Sequence, residues 1–243
     1  MKNAAELTRL RHGFENRKRT LTELYKEWYR SLRSNFSSST GIDLELGSGA
    51  GFIKNIIPSC LTSDVIPTEN VDLTIDAFRV GDLYPKQIAN LILINVFHHI
   101  PDSFIFLKSA SSSLVPGGRI LIIDPSYNFW SYFIYKNIVK HEPFNLLQSS
   151  WKFESSDPLL DSNQAQSWIV FNRDHHIFEK SFPDLKIISR RSFMPLSYIL
   201  SGGHISKYSI PWFLVYFVRL FERHFLDNSC GLFTLYILEK DSV

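Results

Sequence analysis

Glu45-Leu46-Gly47-Ser48-Gly49-Ala50-Gly51 sets glycine at every second position directly after the apolar run IDLEL and before FIKNII. Glycine lets the main chain turn tightly and approach a ligand closely, and a helix opened by FIKNII would add free N–H groups. Such a turn suits a nucleotide-like cofactor. The spacing separates the alternatives: a dinucleotide fingerprint needs G-x-G-x-x-G, yet Phe52 stands where its third glycine belongs. A phosphate-gripping loop needs Gly-Lys-Ser/Thr, and none follows.

The other residues able to do chemistry are mostly histidines. His98 and His99 lie just beyond LILIN, and His141 sits in KHEPF. His99 and His141 are the candidate general bases, and Asp124, at the end of RILIID, could orient either one. Packing or hydrogen bonding to backbone would explain the same histidines. His175 and His176 follow Asp174, but adjacent side chains on one segment point apart and no second cluster has ligand spacing, so no metal is expected in the chain. Cys60 and Cys230 are the two cysteines, and neither has zinc-ligand or disulfide-framework spacing.

The pattern E-x-G-x-G-x-G resembles the first motif of class I S-adenosylmethionine-dependent methyltransferases, and the likeness continues in order across about Ile42 to Pro125. The resemblance implies S-adenosylmethionine as cofactor, with Glu45, Gly47, Ser48, Gly49 and Gly51 forming its loop. Asp64 in CLTSDV would hold the ribose hydroxyls, with Glu69 as the fallback, and Asp76-Ala77 would face the adenine. Asn95 and Val96 would lie beside the methionine half, and LVPGGRILIIDP matches the fifth-strand region. Asn-Val-Phe-His stands where some relatives carry Asn-Pro-Pro-Tyr, so the resemblance is to small-molecule methyltransferases with paired histidines.

Methyl transfer from a sulfonium is an in-line displacement that rests mainly on alignment and exclusion of water, so a base is optional. The implied activity is methylation of a small-molecule, saccharide or lipid-linked acceptor, at oxygen. The alternative is a noncatalytic binding protein that keeps the fold and engages a partner through its basic N-terminal segment.

The elements needed to position these residues are visible as an alternation. Ile42 to Leu46, Cys60 to Ile66, Leu91 to Asn95 and Arg119 to Asp124 read as strands, with helices over Gly51 to Ile57 and Asp102 to Leu114. LILIN and RILIID are nearly continuous apolar runs, as in strands covered on both faces. This predicts an α/β fold: a doubly wound, Rossmann-like, mostly parallel sheet with helices on both faces. LKIIS and LFTLYILEK are expected as antiparallel edge strands near the C-terminus, and Pro116-Gly117-Gly118 as a turn before RILIID.

The chain reads as one domain over 1–243, divided into a helical extension 1–40, a cofactor-binding half 41–125 and an acceptor-side half 126–243. Leu7, Leu10, Phe14, Leu21, Leu24, Tyr25, Trp28 and Leu32 predict one broken or two short amphipathic helices in the extension, with Gly13 as the break. Ser34 to Gly41 reads as a linker. In the acceptor half, Tyr127, Phe129, Trp130, Tyr132, Phe133 and Tyr135 could bury an acceptor or simply pack. Ser201-Gly202-Gly203-His204 with IPWFLVYFVRLFERHF could cover the same pocket, or rest on a membrane surface flanked by Lys207, Arg219 and Arg223.

The composition, 44% hydrophobic and 21% charged, is that of a globular chain. A net charge of +2 does not imply a nucleic-acid partner, although the stretch Arg9 to Arg33 is locally basic. Ile210 to Val218 is far short of the roughly 20 apolar residues that span a bilayer. The N-terminus has no apolar run after its charges, so a cytoplasmic location is the expectation, with peripheral membrane contact through the aromatic segment as the alternative to its packing on the sheet.

Overall fold

The computed structural model describes residues 19–49, 52–69, 71–139, 142–155, 161–203 and 208–242. Gly51, His141, His204, Lys207 and the first eighteen residues, including Gly13, lie outside them.

Helix α1, Arg19–Arg33, leads into β1, Ile42–Leu46, followed by β2, Leu61–Asp64, and β3, Leu73–Thr74. A single turn, α2, Val80–Leu83, precedes β4, Ile88–Ile94; then come α3, Ser103–Ser113, β5, Leu114–Pro125, and α4, Phe129–Asn137. The last third holds α5, Gln166–Trp168, α6, His175–Ser181, β6, Leu185–Phe193, α7, Ser197–Leu200, α8, Trp212–Phe225, and β7, Phe233–Lys240.

The strands form one seven-stranded sheet in the order β3-β2-β1-β4-β5-β7-β6. Pairings from β3 through β5 are parallel, and β7 runs antiparallel to both β5 and β6. The expected mostly parallel sheet is therefore present. The antiparallel strand expected near the C-terminus is β7, which lies inside the sheet rather than at its edge, and β6 takes the edge. Burial matches this placement, because Phe233 to Leu238 are all buried whereas β6 is exposed or half-exposed between its terminal Leu185 and Phe193.

Alternate residues feed two cores. Leu91, Leu93, Ile120, Ile122, Tyr236 and Leu238 pack on one face with Phe106 and Leu107 of α3 and Phe178 of α6. Ile92, Ile94, Leu121, Ile123, Leu235 and Ile237 pack on the other with Trp28 of α1 and Ile134 of α4. Successive strand side chains point to opposite faces, so a run such as ILI has to fill both cores at once. Each fully buried aliphatic side chain contributes about 1.5–3 kcal/mol.

Two local expectations are corrected. Pro116-Gly117-Gly118 is a bulge inside a continuous β5, with Ile88 paired to Leu114 and Asn90 already paired to Arg119. Gly117 has φ +71°, and a Cβ on Gly118 would lie 2.9 Å from the carbonyl oxygens of Ile88 and Val115. FIKNII makes only a single 3-10 turn, Phe52–Asn55. Pro58, which has no N–H to donate, and the start of β2 at Leu61 leave no length for a longer helix.

Ser34 to Gly41 is a strap tied to the sheet. Ser37 donates its backbone N–H to Asn90 Oδ1 at 2.8 Å and its hydroxyl to the Gly117 carbonyl at 2.6 Å, and the Ser39 hydroxyl reaches the Pro116 carbonyl at 2.9 Å. Arg219 of α8, almost fully buried, joins α8 to α1 by binding Glu27 at 2.9 Å, Asp227 at 2.8 Å and Glu222 at 3.2 Å. Among the described residues no helix is long and apolar enough to cross a membrane.

Candidate active site

Strand order reverses between β1 and β4, and the crevice at the carboxyl ends of these strands is where open α/β sheets bind ligands. β1 ends at Leu46, so Gly47 begins its crest; β4 ends at Ile94, so Asn95 and Val96 form the opposite lip. Gly47 adopts φ +66°, and a Cβ there would come within 2.4 Å of Val96 Cγ2. The two lips are thus in contact, which no side chain at 47 would permit. Gly49, at φ +53°, has nothing among the described residues within 4 Å of the position a Cβ would take, so its outer side is open toward them.

The loop is held from β2. The Gly49 N–H donates to Asp64 Oδ2 at 2.9 Å, while Asp64 Oδ1 accepts from the Ile66 N–H at 3.1 Å. Ser48 N–H donates to the Ser63 carbonyl at 2.8 Å, and the Ser63 hydroxyl to the Glu45 carbonyl at 2.8 Å. Asp64 is buried at the end of its strand against the glycine loop, whereas Glu69, the fallback, is exposed. Asp76 is exposed, and its Oδ1 caps the turn Ala77–Arg79 by accepting from the Phe78 N–H at 3.0 Å. It lies two residues beyond Thr74, the register partner of Asp64, so Asp76-Ala77 reaches the same end of the sheet.

Glu45 is almost fully buried, and its Oε2 has no hydrogen-bond partner among the described residues. Burial pushes its carboxyl up to about 7, hydrogen bonding to Ser48 and Tyr29 pulls it down, and the Asp64 charge pushes the same way as burial. A buried acceptor left unpaired costs about 1–3 kcal/mol, so it calls for a donor. The Cβ-free crest, the open side of Gly49 and this unpaired oxygen fit a cofactor carrying donors and positive charge.

Two residues of this lip were not apparent from the sequence. Tyr29 of α1 meets Glu45, and Tyr25, one turn earlier, hydrogen bonds to Asn95. Both tyrosines fall on the apolar helical stripe of the N-terminal segment, where periodicity alone makes them core. Asn95 itself has φ +54°, a conformation Asn tolerates better than most residues, and its N–H is held by the Ile123 carbonyl at 2.8 Å.

Past Val96 the chain makes the turn Phe97–His99. His98, not His99, is the histidine that Asp124 orients: Nδ1 lies 2.7 Å from Asp124 Oδ1, and both groups are buried. His98 Nε2 lies 3.2 Å from Glu142 Oε2. Burial pulls the His98 pKa down, but Asp124 and Glu142 together outweigh it and hold the pKa at about 10. Burial pushes Asp124 up against the pull of His98. In this arrangement His98 is a protonated bridge between two carboxylates rather than a base.

His99 is half-exposed, with Nδ1 3.2 Å from the Asp161 carbonyl and Nε2 4.0 Å from Glu142 Oε1. Glu142 also accepts from Gln164 Nε2 at 3.3 Å, and the Asn163 N–H donates to the His98 carbonyl at 2.9 Å. Glu142 was missed by sequence reasoning, which stopped one residue short at His141. His175 lies outside this group, between Glu179 at 3.2 Å and Arg190 at 2.8 Å. A hollow of about 570 Å³ lined by Arg30, Arg33, Ser34, Asn55 and Ile56 shares no residue with the site.

No protein-family model matches the chain, and no curated protein matches it. Among solved structures it is similar to an S-adenosylmethionine-dependent methyltransferase from Archaeoglobus fulgidus, at 13% identity and TM-score 0.52 over 90% of this chain and 94% of that one. Methyltransferases from Thermotoga maritima (13%, TM-score 0.48, 94% and 100% covered) and Mesorhizobium loti (12%, TM-score 0.46, 87% and 96% covered) are also matched. The fold of this chain is therefore the Rossmann-like fold of class I methyltransferases.

Proposed function

We propose that this chain transfers a methyl group from S-adenosylmethionine to the oxygen of a small-molecule, saccharide or lipid-linked acceptor. The observation that carries the reading is the crest at the switch point, where Gly47 abuts Val96 and Glu45 keeps a buried oxygen unpaired between α1 and β2. In this reading Asp64 and Asp76-Ala77 address the ribose and adenine, and Asn95 and Val96 flank the methionine half. Gly51 would complete the loop. S-adenosylmethionine supplies an activated methyl on a sulfonium. The residues align it and exclude water, which is where most of the acceleration of an in-line displacement arises.

His99, nearest to solvent of the histidine pair, is the proposed base, with His141 as a further candidate from the adjoining segment. The decisive experiment incubates the full chain with methyl-tritiated S-adenosylmethionine and separate aqueous and lipid extracts. Transfer of label into an organic product is expected. Tight cofactor binding without transfer to any fraction would replace this reading with a noncatalytic binding protein.

A lipid-linked acceptor is favoured by α8, whose polarity is inverted. Its charged Arg219 and Glu222 face inward, while Phe213, Phe217, Phe221 and Phe225 are each more than half exposed. Aromatic residues on an exposed helix face with Arg223 alongside suit the interface of an anionic bilayer. Phe217→Glu with Phe221→Glu should abolish co-sedimentation with phosphatidylglycerol vesicles and leave cofactor affinity unchanged; undiminished sedimentation would remove the lipid reading.

A further inference from the structure

His98, His99 and Glu142 place their ligand-type atoms within 4.8 Å of one another, each residue offering one. The two imidazoles are arranged alike: His98 gives Nδ1 to the Asp124 carboxylate at 2.7 Å, and His99 gives Nδ1 to the Asp161 carbonyl at 3.2 Å. With Nδ1 engaged by an acceptor, the ring N–H stays there, and an ion that displaces the proton from Nε2 takes the lone pair left on it. Both Nε2 atoms then point at the same carboxylate, at 3.2 Å and 4.0 Å from the two Glu142 oxygens.

An acceptor on the outer nitrogen of each ligating histidine is the usual support of a metal site, because it fixes the tautomer, aims the ring and raises the basicity of the inner nitrogen. Each support here comes from a separate element: Asp124 from the end of β5, Asp161 from the segment before α5. Ligand atoms bound to one ion at about 2.0–2.2 Å lie roughly 3–3.5 Å apart, so the most separated pair, within 4.8 Å, needs to close by between about 1 and 2 Å. His98 is buried while His99 and Glu142 are partly exposed, which leaves one side for an ion to enter and for further ligands to bind.

We propose that His98, His99 and Glu142 bind one divalent first-row transition ion, of which Zn²⁺ is the test case, with Asp124 and the Asp161 carbonyl as its outer support. Two imidazoles and one carboxylate suit Zn²⁺, Co²⁺ or Mn²⁺ and are a poor set for Mg²⁺ or Ca²⁺, which prefer all-oxygen shells. Three protein ligands leave an open position, as in catalytic rather than structural sites. Resting on the methyl-transfer reading, that position would take the acceptor hydroxyl and lower its pKa, the role otherwise given to a base. The ion site itself does not depend on that reading.

The test uses the full, tag-free chain, stripped with chelator and titrated with Co²⁺ alone, then with Zn²⁺ in competition. One equivalent of Co²⁺ should give a ligand-field absorption band that Zn²⁺ abolishes. His99→Ala and Glu142→Gln should each weaken Zn²⁺ binding at least 100-fold, with circular dichroism unchanged, whereas His175→Ala on the surface should not. Absence of the band, or equal Zn²⁺ affinity in both variants, overturns the site. S-adenosylmethionine titrated into the stripped chain reads the cofactor site separately, so either reading can fail alone.

Discussion

On the β1 side of the crevice the working parts are mostly backbone, whereas on the β4–β5 side they are side chains that hold one another. Gly47 and Gly49 act by having no Cβ, and Asp64 supports them through a backbone N–H. Beyond Val96, by contrast, Asp124, His98, Glu142 and His99 form a continuous polar chain in which every position depends on its neighbour's charge. Steric geometry fails abruptly on the first side. On the second, removing Asp124 or His98 leaves the other buried without its main partner.

The largest effect belongs to the polar side. Asp124→Asn leaves His98 inside the protein without one of its two carboxylates, and loss of one partner of a buried pair costs about 3–5 kcal/mol. Urea unfolding checks it; a cost below 1 kcal/mol would mean the pair is already neutral. Next comes Gly47→Val, which meets Val96 and an unfavourable φ together, and should cut S-adenosylmethionine affinity by about 100-fold, or roughly 2.7 kcal/mol, with the fold retained by circular dichroism.

A smaller effect depends on pH. Glu45 faces Tyr29 from α1, Ser48 in its own loop and Asp64 from β2, and its folded pKa stands at about 7 against an ordinary 4.5. Between those values the native chain keeps a proton that the unfolded chain has lost. Its contribution to stability is thus complete below the unfolded value and disappears as pH rises through the folded one. The ligand-free chain should lose thermal stability over that window, while S-adenosylmethionine affinity rises about tenfold as the carboxylate ionises. Glu45→Gln should flatten both profiles; unchanged profiles would detach Glu45 from the cofactor. Least of all, Tyr25→Phe removes one hydrogen bond to Asn95 and should weaken the cofactor several-fold, about 1 kcal/mol.

The same contrast explains what could be read from the sequence. Backbone requirements leave letters in the chain: Gly47 and Gly49 of the crest, the apolar runs of β4 and β5, and the acid ending β2 all stand where the pattern put them. Short elements left no such mark. β3 has two residues, and the helix expected from FIKNII is one turn because Pro58 cuts it short. β7's interior place depends on pairing along both edges, with β5 and with β6, which periodicity in one strand does not specify.

Side-chain networks are harder still, since their members are far apart in sequence. His98 and Asp124 are 26 residues apart, and His99 reaches the Asp161 carbonyl across 62. The sequence singled out the histidines but preferred His99 as the base, whereas burial beside the end of β5 gives Asp124 to His98. Tyr25 and Tyr29 were hidden in the same way, as two more apolar marks on a helix stripe.

Titration calorimetry of S-adenosylmethionine into the full chain, beside its Gly47→Val variant, tests the central claim most directly. One molecule per chain is predicted, with affinity about 100-fold lower in the variant and none measured for a nicotinamide dinucleotide. Absence of S-adenosylmethionine binding, or equal affinity in the variant, would contradict the assignment of the crest as a cofactor site.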